Sequence, residues 1–489
     1  MPLGRREFLK AAGWIAAGGA ASACSPLHAE WARQAQTGPS WPVPTSSAFG
    51  VLQRLTFGPT IEEREHASSM GLEAWLEDQL APGSIADPVA DRLLRALDSL
   101  SLQAADLAAW DRQDVIAELR RSTLLRQIYS RRQLFEVMVE FWTDHFNIFI
   151  DKGDTWFLKP IDDRDVIRAH ALGNFRDLLW ASAHSPAMLV YLDNQANVKD
   201  APNENYAREL MELHTLGVDG GYNQLDVMEL SRCLTGWTVR DHLWKGEFIF
   251  RSETHDDGWK EVLGLQVQPA GRLEAEDLIE MLATHPSTAE HLARKLVRRF
   301  IREDLEGQGE TVSRVARVFL ETRGDIASTL RALLLDSGRP LPTAPKFKRP
   351  LNFVVSSLRM LGAQTDAGPG LQQHLAAMGQ LPFAWVTPDG PSDEAGPWKG
   401  GLMPRWQFAM DLTAGKIKGT RLPLDDWLEV VGPRTSSEMI DGMGMILLGD
   451  VPDSNTKAAL EAVASDAAWP GRVPEVVAGM LASPDFQWR

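Results

Sequence analysis

Cysteine is nearly absent: the 489-residue chain has two, Cys24 and Cys233. If the first is lost or lipidated, Cys233 stands alone and no intrachain disulfide can form in the mature protein. Cys233 sits in a helical pattern between Arg232 and Leu234, the setting of a small buried hydrophobe. Basic charge is short as well, with 50 Lys and Arg against 66 Asp and Glu and a net charge of -16. A surface of that sign repels phosphate backbones, which excludes nucleic acid as a partner class. Beyond the leader, no apolar run is long or uniform enough for a transmembrane helix. The chain also lacks a P-loop, a dinucleotide glycine fingerprint, a GxSxG elbow and the HExxH and Glu-x-x-His metal signatures. Familiar nucleotide, serine-hydrolase, zincin and di-iron chemistries are therefore not expected.

What is present begins with an address. Arg5-Arg6, followed by Glu7-Phe8-Leu9-Lys10 and the weakly apolar run Ala11–Ala23, reads as a twin-arginine leader over 1–29. Its removal leaves the protein more acidic still. Two cleavage schemes are open. Ala21-Ser22-Ala23-Cys24 resembles a lipobox, which would leave a lipid anchor on Cys24; cleavage after Ala23 or Ala29 would release a soluble protein. Either way the expected location is periplasmic or otherwise extracytoplasmic, reached by export in the folded state.

A Pro/Ser/Thr-rich linker spans 30–47, and helical periodicity then dominates. The fold expected is mainly α: a large multi-helix domain over 48–361 with one small β-hairpin insertion. A Gly/Pro-rich cover loop follows over 362–400, and a C-terminal helical segment, 401–489, packs on the core. Helices are expected at Ala86–Leu102 and Asp114–Tyr129. The hairpin is read from Glu247–Arg251 and Lys260–Val267, with His255 and Asp256 near its tip. In RRQLFEVMVEFWTDHFNIF, Leu134, Val137, Met138, Phe141, Trp142 and His145 fall on one apolar stripe, while Glu136 and Glu140 lie away from it. His145 reads either as a core histidine bonded to a backbone carbonyl or as a ligand or base delivered to an interior site.

The stretch from Tyr191 to Trp237 is the densest in chemistry. Asn203 suits an N-cap, Glu204–Leu216 reads as a helix, and Gly217 stops it. Glu204, Arg208 and Glu212 fall four apart as an acid–base–acid ladder, and Glu209 and Glu212 lie one turn apart. Asn223 and Asp226 have capping-box spacing. The candidate acid–base residues are Glu209, Glu212, Arg208 and His214. If a divalent metal binds, its ligands must come from several segments, with His145, His170, Asp193, Glu204, His255 and Asp256 the candidates. Seventeen tryptophans suit a large core and also stacking on sugar rings.

NENYARELMELHTLGVDGGY, with WTDHFNIF, IRAHALGNF, YLDN, LTGW, HDDGWK and ASPDFQWR, resembles the domain of unknown function 1800 family from about Leu55 to the C-terminus. The resemblance implies an exported, mainly helical bacterial protein, often encoded near a secreted family similar to sulfatases. It supplies no activity. The positions matching the family's recurring polar motif are His145, Asn147, His170, Asp193, Asn194, Asn203, Glu204, Asn205, Arg208, Glu209, Glu212, His214, His255 and Asp256. The Gly390-Pro391 stretch departs from the family pattern, so no family role is carried to that loop. Two functional classes are open: an enzyme acting on an envelope or extracellular glycan, metal-assisted or by acid–base chemistry, and a non-catalytic binding or assembly protein whose partner is a glycan or another secreted protein.

Overall fold

A computed structural model describes residues 47–240, 246–335, 345–424, 435–464 and 471–489. The twin-arginine stretch, the linker up to residue 46 and Cys24 lie outside the described residues. The architecture is mainly helical, with three small two-stranded antiparallel sheets. One contiguous apolar core runs from Phe49 to Phe486, so the C-terminal helices share it with the early ones. Among the described residues no helix is long and apolar enough to cross a membrane.

Local chemistry explains several boundaries. Thr60 and Glu63 form a reciprocal capping box at the start of Ile61–Met70, and Asn223 and Asp226 do the same for Gln224–Cys233. The expected helix Ala86–Leu102 is shorter, Pro88–Leu94 followed by a 3-10 turn at Asp98–Ser101. Pro88 occupies the first helical position, where its missing N–H costs nothing.

The central helix of the fold is α1, Gln133–His145. Its apolar stripe is buried as the spacing requires, but the face carrying Glu136 and Glu140 is buried too. Glu136 takes a two-pronged ion pair from Arg168, with both nitrogen–oxygen distances 3.0 Å, and Glu140 lies between Arg299 and Arg349. Charges on a helix read as solvated unless partners arrive from elsewhere in the sequence, and here they do.

Helix α2, Asn205–Glu209, continues into a π-helical turn, Leu210–Thr215, before Gly217 at φ +82° ends it. A second π-helical stretch, Asp162–Arg168, precedes His170. The wider turn shifts every later side chain round the axis, so fourfold spacing no longer marks one face. Helices α3, Gln224–Cys233, and α4, Pro286–Phe300, flank this region, and α5, Pro350–Met360, is buried along its whole length.

The β structure differs from the expected single hairpin. β1, Trp237–Arg240, pairs with β2, Glu247–Phe250; β3, Lys260–Val262, pairs with β4, Leu265–Val267. Glu247–Phe250 and Lys260–Val267 thus belong to different sheets. β3 and β4 turn tightly through Leu263-Gly264, both at positive φ, while Trp237 supplies β2 with a partner from the end of the polar stretch. β5, Gln364–Thr365, and β6, Thr420–Arg421, make the third sheet, and a helix at Pro369–Ala377 occupies part of the expected cover loop.

Candidate functional site

The amides of the polar motif hold main chain in place. Asn194 donates to the Trp237 carbonyl (3.0 Å), Asn205 to the Leu192 carbonyl (3.1 Å), and the Asn197 side chain accepts from the Asn203 N–H (2.9 Å). Asn203 in turn accepts from the Asn205 N–H (2.9 Å), which orders the entry to α2. Asp193 adopts φ +60° and pairs with Lys152 at 2.8 Å. Asn147 donates to the carbonyls of Trp385 (3.0 Å) and Thr387 (2.7 Å), and the Tyr191 hydroxyl donates to that of Val386 (2.8 Å). The segment 385–387 is therefore tied to the end of α1 and to Tyr191.

The four acid–base candidates separate. Arg208 pairs with Glu204 (2.9 Å) and bonds Gln224 (3.0 Å), a half-exposed arrangement in which Gln224 also donates to Glu204 (2.7 Å). Pairs this exposed contribute little stability. Glu212 leaves the ladder, because the π turn begins between it and Arg208; it accepts instead from the Tyr222 hydroxyl at 3.4 Å. Glu209 is half-buried and accepts no hydrogen bond from the described residues. Burial, then the nearby Glu212 and Asp389, push its carboxyl above the ordinary range against the pull of Arg208. Burial and Glu212 likewise push the Tyr222 phenol up to about 12. Tyr191 is raised by burial, with Glu209 and Asp389 adding to the effect. Glu209, Glu212, Tyr191, Tyr222 and Asp389 thus form one electrostatically coupled group.

His214 points elsewhere. It is 1% exposed, its Nε2 has no partner among the described residues, and burial followed by Lys295 and His291 depresses its pKa to about 3. Its main-chain carbonyl faces His145 Nε2 at 3.1 Å, so His145 is a buried histidine bonded to a backbone oxygen. The other ring nitrogen, Nδ1, lies 2.9 Å from Lys295 Nζ. His291 Nε2 faces the Leu213 carbonyl at 3.3 Å. Two imidazoles therefore satisfy the carbonyls that the end of the π turn leaves open.

Beside this cluster lies a buried ionic network. Arg349 donates to Glu140 (2.5 Å) and Asp144 (2.7 Å), while Arg299 donates to Glu140 and to Asp393 (3.0 Å). Burial works against ionised Glu140, but Arg299 and Arg349 outweigh it and hold its pKa low. Asp144 is pushed up to about 6 by burial, with Glu140 adding to the rise. Gly390 closes this region at φ +70°; a Cβ there would come 2.1 Å from the Asp144 carbonyl oxygen. That approach admits only glycine.

Of the remaining metal candidates, His255 and Asp256 have partners of their own. His255 faces the Thr235 carbonyl (2.8 Å) and Glu274 (3.1 Å), with Lys260 on the same carboxylate. Burial opposes the Glu274 charge, but hydrogen bonds from Lys260, the Ala270 amide and His255 keep its pKa below the ordinary value. Asp256 pairs with Arg232 (2.8 Å), whose hydrogen bonds lower its pKa to about 2. His170 is half-buried and its ring bonds none of the other candidates. Among the described residues, no group of three or more His, Cys, Asp or Glu is placed to hold a metal ion. A hollow of about 370 Å³ lined by Arg176, Glu280, Phe319 and Arg323 contains none of these side chains.

Sequence reasoning passed over Lys295, Asp389 and the partners of Glu140. The signal available was the row His291, Lys295, Arg299, four apart on one face of α4. No curated protein and no solved structure matches the chain. A family model described as protein of unknown function, DUF1800, matches residues 50–488, which is nearly the whole described molecule, and the chain belongs to that family.

Proposed function

We propose that this is an exported envelope protein that performs acid–base chemistry on a glycan, with Glu209 as the proton-transferring group and Glu212 as the second carboxylate. The observation that carries the reading is the Glu209 carboxyl: half-buried, bonded to no described donor, and raised by burial and by Glu212. A carboxyl kept protonated above its ordinary range can deliver a proton to a leaving oxygen, and a neighbouring carboxylate can assist or activate water. Tyr222 offers an aromatic face and a hydroxyl beside it, and Trp385 stands half-buried on the adjoining segment. Arg208 supports the site by holding Glu204 and Gln224, in place of gripping an anionic group. The leader Arg5-Arg6 supports export in the folded state.

A second reading, a non-catalytic envelope binding or assembly protein, draws support from the amides: Asn147, Asn194, Asn197, Asn203 and Asn205 all hold main chain. The two readings separate in one experiment. Natively exported protein is incubated with purified envelope glycans and new reducing ends are counted, beside Glu209→Gln and Glu212→Gln proteins. Turnover by the wild type that is lost in a folded Glu209→Gln protein supports the enzyme. Glycan or protein binding without turnover, unaffected by Glu209→Gln, supports the binding protein.

A further inference from the structure

The hollow of about 370 Å³ lined by Arg176, Glu280, Thr284, Phe319, Leu320 and Arg323 has the volume of a small ligand cleft. Its two cations come from distant parts of the sequence. Arg176 stands in the first turn of the helix Phe175–Ala183, and Arg323 follows the helix Gly309–Glu321. Main chain clamps the two ends together. The Phe175 N–H donates to the Gly324 carbonyl (2.8 Å), the Asn174 side chain to the Arg323 carbonyl (2.9 Å), and the Ile326 N–H to the Gly173 carbonyl (2.9 Å). A Cβ at Gly324 would already press on Asn174 Oδ1 at 3.3 Å. Both arginines are thus carried on fixed helix ends.

Arg323 occupies a backbone position that favours glycine. The helix Gly309–Glu321 ends in a Schellman turn: the Gly324 N–H reaches the Phe319 carbonyl (2.8 Å) and the Arg323 N–H the Leu320 carbonyl (3.1 Å), which places Arg323 at φ +52°. Glycine adopts this left-handed conformation freely, whereas a Cβ makes it costly. Packing does not account for the arginine. Its side chain is exposed, and its guanidinium makes no ion pair or hydrogen bond with another described residue. Arg176 is engaged only at the surface, with Glu280 at 3.2 Å and Asp177 at 3.6 Å. Exposed pairs of this kind contribute little, so they leave Arg176 able to meet a ligand.

We propose that this hollow binds an acidic sugar residue, a ring carrying one carboxylate and several hydroxyls. Arg323 and Arg176 take the carboxylate through charge-assisted hydrogen bonds. Glu280 accepts from ring hydroxyls, and Phe319 and Leu320 supply an apolar wall for the C–H face of the ring. The lining selects this class. Two guanidiniums and one carboxylate leave a single positive charge in a chain whose net charge is -16, which suits a monoanion. Glu280 repels a bare dianion, and a neutral sugar leaves both arginines unanswered. The site does not rest on the acid–base reading at Glu209, whose side chain is not part of the lining.

The test uses the full-length exported protein and saturation-transfer NMR at low ionic strength, where exposed charges are least screened. The probes are glucuronate, glucose and inorganic sulfate. Glucuronate is expected to bind at least about tenfold more tightly than either of the others. Arg323→Gly relaxes the left-handed turn, so it should leave the melting temperature unchanged or raised while weakening glucuronate at least about tenfold. Arg323→Asn, which also tolerates that conformation, should behave alike. Arg176→Gln should weaken glucuronate in the same direction. Glucuronate bound no more tightly than glucose, or no more tightly than sulfate, overturns the proposal. So does full glucuronate binding by a folded Arg323→Gly protein, or a marked fall in melting temperature in both Arg323 variants, which would give the arginine a structural role.

Discussion

Replacing Glu140 by Gln tests whether the ionic network around Arg299 and Arg349 holds the fold together. The substitution keeps the shape of a 4%-exposed side chain but removes the charge that faces Arg299 and Arg349. Both guanidiniums are 1–2% exposed, and only Asp144 and Asp393 remain to answer them. Asp144 already pairs with Arg349 and Asp393 with Arg299, so neither carboxylate is free to replace the lost charge. Breaking one partner of a buried pair costs about 3–5 kcal/mol, because it leaves uncompensated charge out of water. Urea unfolding followed by tryptophan fluorescence measures the loss. A cycle with Arg349→Met adds the decisive control: with Glu140 already neutral, removing one guanidinium should cost at least about 1 kcal/mol less than it does in the wild type. A loss under about 1 kcal/mol for Glu140→Gln, or strictly additive effects, would refute the reasoning.

Other expected outcomes follow from the same geometry. Gly390→Ala places a Cβ 2.1 Å from the Asp144 carbonyl at a backbone φ of +70°, so the melting temperature should fall and limited proteolysis should cut first near residue 390. His214 has a folded pKa of about 3 against an ordinary 6.5, so the unfolded chain binds the extra proton. Its contribution is present above the unfolded value and is lost as pH falls towards about 3. His214→Leu should be close to neutral at pH 7, because the lost Nε2 had no partner among the described residues, and should gain on the wild type by about 2–3 kcal/mol at pH 4.5 in urea titrations. A variant that tracks the wild type at both pH values would contradict the burial of that imidazole. Elemental analysis after native export should find no stoichiometric metal, since among the described residues no three of the candidate ligands are placed together. Near-stoichiometric metal that is lost in a folded Glu209→Ala/Glu212→Ala/His214→Ala protein would replace metal-free chemistry with a metalloenzyme.

Much of this was legible along the chain where local rules act alone. The capping box at Asn223, the apolar stripe of α1 and the stop at Gly217 follow from short-range chemistry, and the structure keeps them. The misreadings arise where distant segments decide. Glu136 and Glu140 look solvated because Arg168, Arg299 and Arg349 lie far away in sequence. The Glu204–Arg208–Glu212 ladder fails because a π turn, which periodicity does not announce, swings Glu212 towards Tyr222. Strand pairing is misassigned because β2 finds its partner upstream at Trp237. Glu209 is legible as a residue, yet its freedom from hydrogen bonds belongs to the folded arrangement.

The most direct measurement compares wild type and Glu209→Gln on one envelope glycan fraction, recording turnover and melting temperature on the same samples. The expected result is a turnover loss of at least about a hundredfold, the usual scale for removing a general acid or base, with the melting temperature unchanged because glutamine keeps the shape of a half-buried side chain that accepts no hydrogen bond from the described residues. Full turnover by folded Glu209→Gln, or a collapse in its stability that accounts for the whole loss, would contradict an acid–base role for Glu209.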